Sequence, residues 1–126
     1  REAEKQDALD ALLIDNEGNI REGTRSNFFA IRDKTIFTPP SHKVLEGITK
    51  KIISKVVRGK FMIKEADIPL GNIKTYEELF ISSTSMNIMP IRQIDEFVFK
   101  TNFKKTHQIE RLFKEYYDKN IFNKRL

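Results

Sequence analysis

A single mixed α/β (α+β) domain is the fold class this chain predicts, and three observations carry it. Short apolar runs bounded by turn residues recur along the first hundred positions, as strands do. Two stretches, Ile48–Val57 and Lys105–Ile121, instead repeat their apolar residues at helical spacing. The strands and helices are interleaved rather than segregated, which favours one layered domain over two units. With 126 residues the chain has room for one core and little more.

Taken in order, residues 1–7 read as the middle or end of a helix that lacks an N-cap, as if cut from something longer. Ala11–Ile14 suits a buried strand. Asn16-Glu17-Gly18-Asn19 is a tight turn in which Gly18 takes positive φ. Ser26–Arg32 and Lys34–Thr38 are strands around an Asp33-Lys34 turn, completing an antiparallel meander that Pro39-Pro40 ends. Ser41–Gly47 is a loop. Ile48, Ile52, Ile53, Val56 and Val57 then line one face of a helix that stops at Gly59. Phe61–Ile63 is a strand and Ile73–Leu79 a short helix or turn. Leu79–Ser82 and Ile88–Ile94 are strands on either side of a hydroxyl-rich loop. The last helix carries the stripe Ile109, Leu112, Phe113, Tyr116 and Tyr117.

Composition narrows the function classes. The 23 basic residues exceed the 18 acidic ones, but they are spread along the chain without an aromatic–basic ladder, so no nucleic-acid partner is expected. The apolar runs are too short to span a membrane. Cysteine is absent, which leaves no disulfide framework or thiolate metal site and fits a reducing, cytoplasmic setting. His42 and His107 have no second ligand at metal spacing, so no metal is expected.

Three segments invite chemistry. Gly47-Ile48-Thr49 stands at the expected helix start, where unpaired amides and the helix dipole attract phosphate. Alone, it reads rather as a glycine loop with a threonine cap. Ser82-Ser83-Thr84-Ser85 places four hydroxyls between apolar strands, as an oxyanion loop or merely a serine turn. Glu22, beside Gly23, offers a carboxylate that can pair with a protonated ring nitrogen, and Arg25 offers a planar fork for a carboxylate or phosphate. Each of these two is otherwise an ordinary surface charge.

The order Glu22-Gly23-Thr24-Arg25-Ser26-Asn27, Leu45-Glu46-Gly47-Ile48-Thr49 and Ser82-Ser83-Thr84-Ser85-Met86-Asn87-Ile88-Met89-Pro90-Ile91 resembles the class IV aminotransferases. These are the fold-type IV pyridoxal-phosphate enzymes, among them branched-chain and D-amino-acid aminotransferases and aminodeoxychorismate lyase. The resemblance implies a C-terminal domain of mostly antiparallel strands in a pseudo-barrel with packed helices, spanning 1–126, with pyridoxal 5'-phosphate as cofactor. It implies that Glu22 meets the pyridine nitrogen. Ile48, Thr49, Ser83 and Thr84 would hold or flank the phosphate, while Arg25 and Ser85 would face substrate. Asn27 would support the backbone of the site, and Thr106 would match the threonine of a late glycine-rich loop that is otherwise replaced here.

The Schiff-base lysine of the family would fall upstream of Arg1, as would its smaller N-terminal domain, so this chain alone is expected not to transaminate. The parent would exchange an amino group between an amino acid, of the branched-chain kind, and a 2-oxo acid, working as a homodimer. Lyase chemistry of the same family is the alternative, although Gly23 after the acid leans toward transamination. A degenerate, non-catalytic relative is the remaining reading.

Overall fold

In the computed structural model of the chain, residues 12–23, 26–40, 44–83 and 88–122 are described. Strand β3 (Ser26–Arg32) lies at the centre of the molecule. Its run Phe28-Phe29-Ala30-Ile31 is fully buried because both faces are covered, which is why it reads as nearly continuous apolar sequence rather than as an alternating strand. β3 pairs antiparallel with β4 (Thr35–Thr38) and with β7 (Glu78–Ser83). Outside these lie β5 (Met62–Glu65), parallel to β4, and β8 (Ile88–Pro90), antiparallel to β7. The sheet therefore runs β5-β4-β3-β7-β8.

Helix α1 (Val44–Val56) joins the parallel pair β4 and β5, as a parallel connection requires. It packs with α2 (Lys104–Tyr117) on one face of the sheet. Phe29, Ile31, Ile36, Phe80 and Ile88 of the sheet meet Ile53 and Val57 of α1 and Ile109 and Phe113 of α2 there. On the other face, Phe28, Ala30, Leu79 and Ile81 form a second cluster with Ile20, Ile68, Ile73, Ile94, Phe99 and Phe103. That layer is built from a small sheet of β1 (Leu12–Ile14), β2 (Asn19–Gly23) and β6 (Ile68–Pro69). A 3-10 helix, Leu70–Thr75, and the ribbon β9 (Gln93–Ile94) with β10 (Phe97–Val98) complete it.

The mixed class and the mostly antiparallel pairing match expectation. The pseudo-barrel does not close: among the described residues the strands form three separate open sheets, because each face of the large sheet is already covered. The meander breaks between β2 and β3, since β2 pairs with β1 and β6 instead. Gly18, with φ of 84°, makes the first turn as read from the sequence. The stretch Ile88–Ile94 splits after Pro90 into β8 and β9. α1 begins at Val44, a full turn before the expected Ile48. The helix read into residues 1–7 lies outside the described residues.

Candidate functional site

Strand register and the path of α1 bring parts of the three expected segments to one end of the large sheet. β3 starts there with Ser26 and Asn27, which pair with Ser83 and Ser82 at the end of β7. Ser82 is in turn opposite Ile88, where β8 begins. Glu22 is the penultimate residue of β2 and so lies just before the two-residue link to β3. β4 ends at the same place, as the Thr38 hydroxyl donating to the Phe28 carbonyl at 2.7 Å shows. α1 therefore starts above this end and runs toward the other.

The earlier helix start moves the free amides upstream of Ile48 and Thr49. In a helix that begins at Val44, the helical amides without an intrahelical acceptor are those of residues 44–46, so they rather than the Ile48 and Thr49 amides point an unmet dipole outward. Thr49 recurs at four-residue spacing with Ile53 and Val57 and is only 4% exposed, so it turns toward the sheet. Ile48 is 45% exposed. Arg25, Thr84 and Ser85 lie outside the described residues, as do His42 and Met86, and the side chains of Glu22 and Ser83 are likewise outside them.

Two buried polar groups stand at this end, Ser82 of the expected hydroxyl run and Lys50, which sequence reasoning did not single out. Ser82 is 1% exposed, and its hydroxyl has no hydrogen-bond partner among the described residues. It alternates with Phe80 and so shares the helix-facing side of the sheet. As first member of the hydroxyl run, it carried a signal that only the strand parity could sharpen. Lys50 is the other; its i+3 and i+7 relation to Ile53 and Val57 was the available clue.

A hydroxyl donor with an open bonding capacity, a buried threonine and the unpaired first turn of a helix, all at one sheet end, form a donor set that fits a phosphate-bearing group. A surface hollow of about 810 Å³ lies elsewhere, at the far end of β3 between Lys34, Lys60 and Lys105. It is broad and solvent-facing, and it gathers none of the expected site residues. The convergence of strand ends and helix start is the better guide.

Thr106 does not belong to the candidate end. It is buried at the far end of β7, where its amide and hydroxyl both donate to Glu78 Oε1, at 2.7 and 2.6 Å. His107 is exposed, with Nδ1 3.2 Å from Glu110 Oε1. Met89 packs against the core cluster opposite the helices. Among the described residues, no group of His, Asp and Glu is arranged to hold a metal ion, and no helix is long and apolar enough to cross a membrane.

A family profile described as "Amino-transferase class IV" matches residues 1–94. A probable branched-chain-amino-acid aminotransferase of Rickettsia felis is 38% identical over 109 residues, covering 85% of this chain and 37% of the relative. A D-alanine aminotransferase of Listeria monocytogenes is 37% identical over 95 residues, covering 74% and 32% respectively. Among solved structures, an aminotransferase from Brucella abortus bound to the cofactor PLP superposes with a TM-score of 0.77 at 28% identity. That match covers 92% of this chain and 42% of the other. The chain thus spans well under half the length of the relatives it matches.

Proposed function

From the premise that this chain belongs to the class IV amino-transferase family, we propose that it is the C-terminal, cofactor-holding domain of a pyridoxal-phosphate-dependent aminotransferase. The parent moves an amino group between an amino acid of the branched-chain kind and a 2-oxo acid, in keeping with the name of the Rickettsia relative. The observation that carries the reading is the meeting of the ends of β2, β3, β7 and the start of α1 at one edge of the large sheet.

The bound cofactor supplies an electron sink for the carbon from which a proton is removed. The chain's own residues have the complementary tasks. Glu22 holds a proton on the pyridine nitrogen. Thr49, with Ile48 beside it, and Ser83 and Thr84 hold the phosphate, assisted by the unpaired amides of the first turn of α1. Arg25 and Ser85 orient the substrate carboxylate. Fixing both ends of the ring keeps the reacting carbon in register with its base, and much of the rate gain of such enzymes comes from that register. The lysine that serves as this base lies in the part of the parent that precedes Arg1, and the parent works as a cytoplasmic homodimer.

The test is covalent trapping. The whole polypeptide and residues 1–126 alone are each incubated with pyridoxal phosphate and reduced with borohydride, and the labelled peptides are mapped by mass. One stoichiometric lysine upstream of Arg1, with only scattered labelling of residues 1–126 alone, is the expected result. A single stoichiometric lysine inside residues 1–126 overturns the domain assignment. Activity on L-leucine with 2-oxoglutarate, compared with D-alanine, tests the substrate class.

A further inference from the structure

We propose that Lys50 is a positioning residue for the phosphate end of this domain, a clamp that holds the start of α1 against the ends of β4 and β5. The proposal rests on the cofactor reading above. Lys50 is 8% exposed, and an ammonium removed from water must be met by acceptors to remain charged. Its Nζ donates to the carbonyl of Pro39 and lies 3.8 Å from Glu65 Oε2. Pro39 follows the last residue of β4, Glu65 is the last residue of β5, and the two strands run parallel with Thr38 opposite Glu65.

One side chain in the second turn of α1 thus ties together the carboxyl ends of both strands that the helix connects. The Pro39 carbonyl lies beyond the sheet ladder, where a buried acceptor needs a donor from elsewhere. Lys50 supplies it. The tie closes the chain from 39 to 50 into a short ring that contains the whole first turn of α1. The amides of residues 44–46 have no acceptor within the helix, and their direction follows from how that ring is held. Glu65 is 57% exposed, so its ion pair contributes less than the bond to Pro39.

The experiment compares Lys50→Met, Lys50→Gln, Lys50→Arg and Glu65→Gln in the whole polypeptide. Apo protein is titrated with pyridoxal phosphate and, separately, with pyridoxal, which lacks the phosphate, and the unfolding temperature is recorded alongside. Lys50→Met is expected to weaken pyridoxal phosphate binding about tenfold or more, the loss typical of removing a group that orients a binding partner, and to leave pyridoxal binding nearly unchanged. Lys50→Arg, which still donates, is expected to retain most of the phosphate preference, and Glu65→Gln nearly all of it. Should Lys50→Met not fold, Lys50→Gln carries the test, with a smaller loss in the same ratio. Variants that melt earlier yet keep the wild-type ratio of the two affinities overturn the proposal and leave Lys50 a purely structural tie. Wild-type protein that binds neither compound overturns the cofactor reading itself. Borohydride label on Lys50 also overturns the clamp, because an imine nitrogen cannot serve as the ammonium donor to Pro39.

Discussion

Glu78 shows how a single residue can set the position of a helix it does not belong to. The N-cap position of α2 is Phe103, in the left-handed region with φ of 54°, and its side chain has no oxygen to offer the first amides of the helix. Glu78, 4% exposed and at the start of β7, takes over that task. Its Oε1 accepts from the Thr106 amide and hydroxyl, and its Oε2 accepts from the Lys105 amide at 3.0 Å. Glu78→Ala leaves those donors buried and unmatched, and is expected to cost about 2 kcal/mol or more; Thr106→Val, which removes one of the three bonds, is expected to cost about 1 kcal/mol. Chemical denaturation of the whole polypeptide checks both, and equal losses would refute the cap. Neither Glu78 nor Lys50 stood out in the sequence, for the same physical reason. Their partners are remote in the chain, and a glutamate before Leu79 or a lysine after Thr49 reads locally as a solvated charge. Glu22, Thr49 and the hydroxyl run drew attention only through their order along the chain, since each alone reads as a surface charge, a helix cap or a serine turn.

At the scale of elements, turns and apolar periods carried most of the information, and tertiary pairing supplied the rest. Ser26–Arg32, the Gly18 turn and the final helix were legible from local pattern alone. The start of α1 was not, because Gly47 reads locally as a helix breaker, yet the helix runs back past it to Val44. Nor does local pattern show that β5 runs parallel to β4, since that depends on where α1 lays the chain down. The seam between α2 and the β3–β4 turn adds an electrostatic element. Lys105 Nζ donates to Glu77 Oε1 and, at 2.7 Å, to the Asp33 carbonyl, while the Asp33 amide donates to Glu77 Oε2. The bond from Lys105, followed by that from the Asp33 amide, holds the Glu77 carboxyl below its usual range. A carboxylate whose folded pKa is depressed adds stability above its unfolded value, near 4.3, and that stability is lost as pH falls through the lowered folded value. Both partners are partly exposed, so the effect is below about 1 kcal/mol and shrinks in salt. Glu77→Gln is therefore expected to flatten the acid limb of the stability–pH curve below about pH 4.5 without altering its shape near neutrality. An unchanged acid limb would assign the acid sensitivity to other carboxylates.

The whole molecule is three layers that share one sheet, and this predicts how it comes apart. β3 contributes Phe29 and Ile31 to the helix-side cluster and Phe28 and Ala30 to the opposite one, so displacing β3 disrupts both cores at once. The coupling is tightest between β3 and β7, where Phe29 and Phe80 are register partners with ring centroids 4.7 Å apart and nearly parallel planes. Ile31→Val thins the helix-side core, while Ile20→Val, in the separate small sheet, thins the other. Each removes one buried methyl and is expected to cost about 1 kcal/mol. If the two cores unfold as one unit, each variant moves the midpoint of a single denaturant transition with its slope unchanged. Met62→Ala, at a position 69% exposed on the outer strand β5, is expected to shift that midpoint by less than about 0.5 kcal/mol. Two separable transitions, with Ile20→Val moving one and Ile31→Val the other, would mean that the β1-β2-β6 layer opens independently of the helices. Glu22 would then sit on an element that can part from α1, and the two ends of the cofactor would be held by units free to separate. A single transition instead means that the strand carrying Glu22 and the helix carrying Thr49 and Lys50 are held in register by the same cooperative core.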